Sequence, residues 1–181
     1  AVKGNFLSAL AMFIAVAITL VNIVNPLLII IGISIGAIVG SLIALRVKMT
    51  SIPEMVALFN GFGGLATFFI AWSEFNSIPE NTFQYILIMI TIFIGGVTFS
   101  GSIIAYGKLS EKLTIKKTSI VTKLFTTIFY ISIIYLVYSI SLTNIFVPTF
   151  DFFTILLILT LLGGIGFVLP IGGGDMPVVI S

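Results

Sequence analysis

Apolar positions along this chain come in long unbroken blocks, divided by short polar breaks. Residues 5–22, 26–45, 53–72, 83–106, 119–142 and 151–170 form six such blocks. A further block begins near Pro177 and runs to the last residue, Ser181. A helix needs about 20 apolar residues to cross a hydrocarbon layer of about 30 Å, and each of the six blocks meets that length. The block 26–45 holds twelve Ile, Leu and Val residues. At about −0.3 to −0.6 kcal/mol each, their insertion gains roughly −4 to −7 kcal/mol, from which the Gly and Ser residues subtract only part. Strands are excluded by the same pattern. A membrane barrel alternates apolar and polar residues over about ten positions, whereas Leu27-Leu28-Ile29-Ile30-Ile31 and Ile86-Leu87-Ile88-Met89-Ile90 do not alternate. Lipid satisfies no backbone group, so the remaining choice is helix. The predicted fold is all-α: a polytopic transmembrane helix bundle with six complete spans and the start of a seventh.

Composition supports lipid as the solvent. Hydrophobic residues make up 59% and charged residues 8% of the 181, with a mean hydropathy of +1.31. A soluble domain carries roughly 25% charged residues to coat its surface. The net charge of +2 is too small for a nucleic-acid partner. Absent Cys rules out disulfides and thiolate metal sites, and absent His removes the commonest proton carrier near neutral pH. No soluble body follows the first apolar block, so that block is not a secretory signal. The sequence opens on Ala1 and stops at Ser181 inside an apolar run, and it is expected to be a fragment of a longer chain.

Basic residues set the expected orientation. Lys3 precedes the first block, Arg46 and Lys48 follow the second, and Lys108, Lys112, Lys116, Lys117 and Lys123 surround the junction of the fourth and fifth. Six crossings put all eight on one side, which the positive-inside rule assigns to the cytoplasm. Glu74, Glu80 and Asp151 fall on the opposite side with no base among them.

Small residues recur at helix-packing intervals. Gly32, Gly36 and Gly40 share one helix face, and Gly61, Gly63 and Gly64, Gly95 and Gly96, Ser100-Gly101-Ser102, and Gly163, Gly164 and Gly166 form further clusters. In a bilayer such faces let backbones approach where no hydrophobic drive operates between helices. Gly61-Phe62-Gly63-Gly64-Leu65-Ala66 matches a dinucleotide-binding pattern in letters only, because it lies inside a span and not at a strand-to-helix turn. No P-loop, zinc motif or catalytic triad is present.

Three polar positions carry candidate chemistry. Asn60 lies seven residues beyond Pro53, about 10 Å into the membrane. An unsatisfied amide there costs several kcal/mol, so Asn60 needs either an interhelical hydrogen bond or a wet pathway beside it. Val56, Asn60, Gly64 and Thr67 share its helix face. Glu54 follows Pro53 in a first helical turn, where the helix dipole favours a carboxylate; capping or a role in conduction both fit. Asp175 sits between Gly172-Gly173-Gly174 and Met176-Pro177 at another predicted helix start. Capping accounts for the acid and leaves the three glycines unexplained.

Three ordered blocks resemble a known family. They are Met49-Thr50-Ser51-Ile52-Pro53-Glu54-Met55-Val56-Ala57-Leu58-Phe59-Asn60-Gly61-Phe62-Gly63-Gly64; Gly96-Val97-Thr98-Phe99-Ser100-Gly101-Ser102 with Ala105-Tyr106-Gly107-Lys108-Leu109; and Gly172-Gly173-Gly174-Asp175-Met176-Pro177-Val178-Val179. Together they resemble the membrane domain of proton-translocating NAD(P) transhydrogenase, beta subunit. The first forty-five residues fit by hydropathy and glycine spacing only.

The resemblance implies that residues 1–181 form most of a transmembrane proton channel. Hydride transfer between NADH and NADP+ would then proceed in separate soluble domains that hold NAD(H) and NADP(H), with no cofactor, metal or hydride-transfer residue in this stretch. It implies a transhydrogenase alpha subunit and an NADP(H)-binding domain of the same full-length chain as partners, in a dimer of the complete assembly, in a bacterial inner membrane. Asn60 matches a position where some members carry an intramembrane His; Asn orients water and does not titrate near neutral pH. Asp175 matches the family's acid beside the NADP(H) domain, and Ser100 and Ser102 match small polar positions of the family motif. A helical secondary transporter or channel subunit without nucleotide chemistry is the competing reading, and a purely structural membrane subunit is a third.

Overall fold

The computed structural model describes residues 2–21, 26–77, 81–113, 120–142 and 150–172. Among the described residues six α-helices form: α1 Val2–Val21, α2 Pro26–Arg46, α3 Ile52–Asn76, α4 Thr82–Leu109, α5 Ile120–Leu142 and α6 Phe150–Val168, with a 3-10 turn at Met49–Ser51 before α3. All six are long and apolar enough to cross a membrane, and no strand occurs among the described residues. The expected seventh start near Pro177 lies outside them.

Helix ends differ from the apolar blocks in an instructive way. Hydropathy ends the third block at residue 72, but α3 continues to Asn76. Asn76 Nδ2 donates to the Trp72 carbonyl at 2.9 Å, and Ser77 Oγ donates to the Ser73 carbonyl at 3.0 Å. Polar side chains thus serve the last carbonyls of the helix, and the helix persists past the apolar block. α4 begins at Thr82 because Asn81, in an extended conformation, accepts a hydrogen bond from the Gln84 N–H at 2.9 Å, the usual work of an N-cap asparagine.

The chain forms two compact units, residues 1–47 and 48–181. The first holds α1 and α2. A Cβ placed on Gly32, Gly36 or Gly40 would meet nothing within 4 Å. The close approach expected on this face is therefore not made inside the first unit. α2 is apolar all round, so spacing alone does not choose which face packs.

The second unit is a four-helix arrangement with alternating directions. Ala71 of α3 packs with Ile88, Met89 and Ile92 of α4 and with Phe153 and Leu156 of α6 at one end. Ala57, Ala105 and Val168 pack together at the other. α3 is therefore antiparallel to α4, while α6 runs parallel to α4. At the first end Trp72 meets Phe153 edge-on at 5.2 Å and Phe75 lies 4.4 Å from the same ring.

Glycine decides how close these helices come. A Cβ on Gly64 would lie 2.7 Å from the Phe99 nitrogen, and one on Gly95 would lie 2.8 Å from the Phe68 nitrogen. The two glycines face each other where α3 crosses α4. Gly96 turns the other way, against Thr160 of α6, and Gly164 of α6 sits against Val97 and Ser100 of α4. Gly163 and Gly166 receive α5 at Phe129 and Phe125. At the α5–α6 seam the Thr126 hydroxyl shares its one proton between the Thr122 carbonyl of its own helix at 2.8 Å and the Gly166 carbonyl at 3.1 Å.

Lys48, Lys108, Lys112 and Lys123 lie at the Ala57–Ala105–Val168 end of this unit, and Glu74 and Asp151 at the opposite end. Single cysteines replacing Lys48 and Lys112 are expected to react with an impermeant maleimide from one side of sealed vesicles. Those replacing Glu74 and Asp151 should react from the other side. Labelling of Lys48→Cys and Lys112→Cys from opposite compartments would contradict this topology.

Candidate functional site

The polar centre of the second unit lies where the first half of α3 meets the second half of α4. Pro53 opens α3, fitting an early helical position whose N–H would have no intrahelical partner. Glu54 stands half-buried in that first turn, where the helix dipole favours its charge. Two turns further in, Asn60 Nδ2 donates to Ser102 Oγ at 3.0 Å, joining α3 to α4. Gly61 makes this approach possible, because a Cβ there would already lie 3.2 Å from Ser102 Cβ.

The two ends of this hydrogen bond differ in surroundings. Ser102 is 3% exposed, while Asn60 is exposed at the flank of α3. Gly63, a turn along the same open flank, has so much room that a Cβ placed on it would meet nothing within 4 Å. The pair thus forms a polar notch at the edge of the α3–α4 seam, closed on the serine side and open on the amide side. A hydroxyl that accepts from an amide keeps its own proton to donate, and the amide keeps a carbonyl acceptor and a second N–H. Neither group titrates near neutral pH. The notch can orient water or a passing donor; it cannot hold a charge.

Ser100 does not join it. Its hydroxyl donates to the Gly96 carbonyl at 2.9 Å, buried on the α6 side of α4, where Gly164 leaves room. Two residues along a helix turn the side chain by about 200°, which separates Ser100 from Ser102. Asp175 lies outside the described residues. Among the described residues no three His, Cys, Asp or Glu side chains gather in a way that would hold a metal ion.

One contact at the basic end of this unit is not foreshadowed by the pattern of charges. Lys108 Nζ donates to the carbonyls of Val168 at 3.1 Å and Ile171 at 2.8 Å, and also to that of Leu169. By sequence, Lys108 belongs to a row of orientation charges. Its place in the motif Ala105-Tyr106-Gly107-Lys108-Leu109 was the available signal, and the identity of the carbonyls it reaches depends on the packing of α6.

Comparison with known proteins extends the match to the whole chain. The family described as NAD(P) transhydrogenase beta subunit matches residues 1–181. Two curated relatives, both NAD(P) transhydrogenase subunit beta of Rhodospirillum rubrum, are each 30% identical over 193 residues. These alignments cover 99% of this chain and 40% of each relative, so the chain spans well under half the length of the relatives it matches. With six helices able to cross a membrane and a family match from end to end, the chain belongs to the NAD(P) transhydrogenase beta subunits and is a multi-pass membrane component of that family.

Proposed function

We propose that residues 1–181 form the proton-conducting membrane domain of a transhydrogenase, coupled to hydride transfer between NADH and NADP+ in nucleotide domains elsewhere. NAD(H) and NADP(H) bind outside this stretch, and the stretch itself does no hydride chemistry. The partners are lipid, an alpha subunit, and an NADP(H)-binding domain of the same full-length chain, in a dimeric assembly. The end bearing Lys48, Lys108, Lys112 and Lys123 faces the cytoplasm of a bacterial inner membrane.

The observation that carries this reading is the Asn60–Ser102 hydrogen bond at 3.0 Å. Asn60 lies about 10 Å from the start of α3 by the helical rise, and its remaining N–H and carbonyl need a partner or water there, since leaving them unmet costs several kcal/mol. Glu54 stands at the aqueous mouth of the same helix, Ser100 lines the neighbouring seam, and Asp175 meets the NADP(H) domain, where its charge responds to nucleotide state. Because Asn60 and Ser102 carry no ionisable proton, the titrating group comes from the partner subunit.

The energetics suit such a device. One proton descending 100 mV yields about 2.3 kcal/mol, and every 1.4 kcal/mol is a tenfold change in an equilibrium. A near-balanced hydride exchange is thereby driven well over tenfold towards NADPH. The test is proton movement by the complete enzyme in sealed vesicles as NADPH reduces an NAD analogue. Solute flux independent of nucleotide, with no proton movement, would favour a transporter instead.

A further inference from the structure

α4 and α6 run parallel, so their C-terminal turns finish side by side at the basic end. Each helix end presents carbonyls that lack intrahelical donors, together with about half a negative charge. Two such ends in contact repel each other, and each must find donors.

α4 finds them in its own chain. The Ser110 N–H donates to the Tyr106 carbonyl at 2.9 Å, the Glu111 N–H to the Lys108 carbonyl at 3.2 Å, and the Leu113 N–H to the Gly107 carbonyl at 2.9 Å. Glu111 takes a left-handed conformation, with φ of 56°, to make this turn, as residues just past a helix end commonly do. The Lys108 ammonium reaches across to the end of the neighbouring helix.

α6 ends by another route. Its last turn is completed by the Leu169 N–H on the Ile165 carbonyl at 2.9 Å and the Ile171 N–H on the Val168 carbonyl at 3.1 Å. Onto this turn the ammonium brings three donors, which meet the carbonyls of Val168, Leu169 and Ile171. Ile171 packs on the Ala57–Ala105–Val168 cluster below. After it the sequence continues Gly172-Gly173-Gly174-Asp175, a run with no side chain to anchor it before the acid. Ahead of that run the chain is held by the packing of Ile171 and by the Lys108 ammonium on its carbonyl.

We propose that Lys108 is a positioning residue: its ammonium caps the end of α6 from α4 and fixes where the glycine run towards Asp175 begins. Its bearing on coupling rests on the proton-conducting reading above. The cap also locks α6 to the helix that carries Ser102, so the exit of α6 and the Asn60–Ser102 notch move together.

The experiment uses the complete enzyme in sealed vesicles, with single reporter cysteines in a background stripped of others. Lys108→Met is compared with Lys112→Met, which removes a charge from the same end but touches no α6 carbonyl; Lys112 lies over the Tyr106 ring at 5.5 Å. An Ile171→Cys reporter is expected to react with maleimide at least tenfold faster in the Lys108→Met background and within twofold of the parent in the Lys112→Met background. A Leu156→Cys reporter, fully buried at the far end, is expected to stay unreactive in all three. Protons moved per hydride transferred should fall at least threefold in Lys108→Met, with hydride exchange in detergent kept within twofold. Unchanged labelling of the Ile171→Cys reporter would overturn the cap. Exposure of the Leu156→Cys reporter would overturn it too, by showing a general loosening of the bundle. Faster labelling with an unchanged proton ratio would confine Lys108 to the fold and overturn its positioning role. If the parent enzyme moves no protons at all, the functional reading falls, and the labelling alone decides the cap.

Discussion

An enzyme carrying Gly166→Leu is expected to lose the α5–α6 seam and to vanish from the membrane as an assembled bundle. A Cβ on Gly166 would fall on the carbonyl group of Phe125 and within 2.7 Å of the Thr126 nitrogen. These are backbone atoms, which no rotamer change can move aside. Forcing extra methylenes into a well-packed core costs typically about 1–3 kcal/mol when side chains can yield, and a backbone obstacle puts this site above that range. The hydrogen bond from Thr126 Oγ1 to the Gly166 carbonyl would be lost in the same event. Thermal unfolding in detergent, or recovery of intact protein from membranes, checks this. Gly63→Ala is the matched comparison, since nothing lies within 4 Å of a Cβ there and alanine is favoured over glycine in a helix by up to about 1 kcal/mol. Normal assembly of Gly166→Leu would contradict the packing described for α5 and α6.

The second large effect is expected at Asn60. Asn60→Leu should slow proton-coupled turnover at least tenfold and leave hydride exchange by the complete enzyme in detergent within twofold of the parent. Leucine keeps the bulk and removes both donors and the acceptor. Ser102, 3% exposed, then loses its partner across the seam. A leucine on the open flank of α3 meets lipid or another apolar surface without penalty, so insertion should survive. Separating the two rates matters because a packing defect lowers the amount of enzyme, whereas loss of a conducting group lowers its coupled rate per molecule. Failure of Asn60→Leu to insert would make the amide an interhelical fastener only. A coupled rate within twofold of the parent would remove Asn60 from the pathway.

Much of the fold was legible in the sequence because lipid imposes a coarse rule. Every span must be long, apolar and helical, and blocks such as Leu27–Ile31 admit no other reading. Which helix touches which was not legible. α4 is apolar around its whole circumference, so nothing in its spacing says that Gly95 faces α3 while its neighbour Gly96 faces α6. Helix ends do not follow hydropathy alone: polar residues extend α3 past its apolar block at Asn76, and Asn81 caps the start of α4.

The site was legible in part for the same reason. Asn60 stood out because an amide in a span demands an explanation. The sequence offered Ser100 and Ser102 as equals, and only the placement of α3 and α6 separates the buried backbone-bonded hydroxyl from the one that meets Asn60. Lys108 was hidden by its charge, which the positive-inside rule already explained. Its α6 partners are set by a packing contact remote in sequence.

The most direct measurement of the central claim is lumenal pH in sealed vesicles holding the complete enzyme, recorded while NADPH reduces an NAD analogue. A proton-conducting bundle gives a pH change that grows in proportion to hydride transferred and is abolished by a protonophore, while hydride exchange itself continues. Hydride transfer at full rate with a lumenal pH that never moves would contradict a proton-conducting role for these helices.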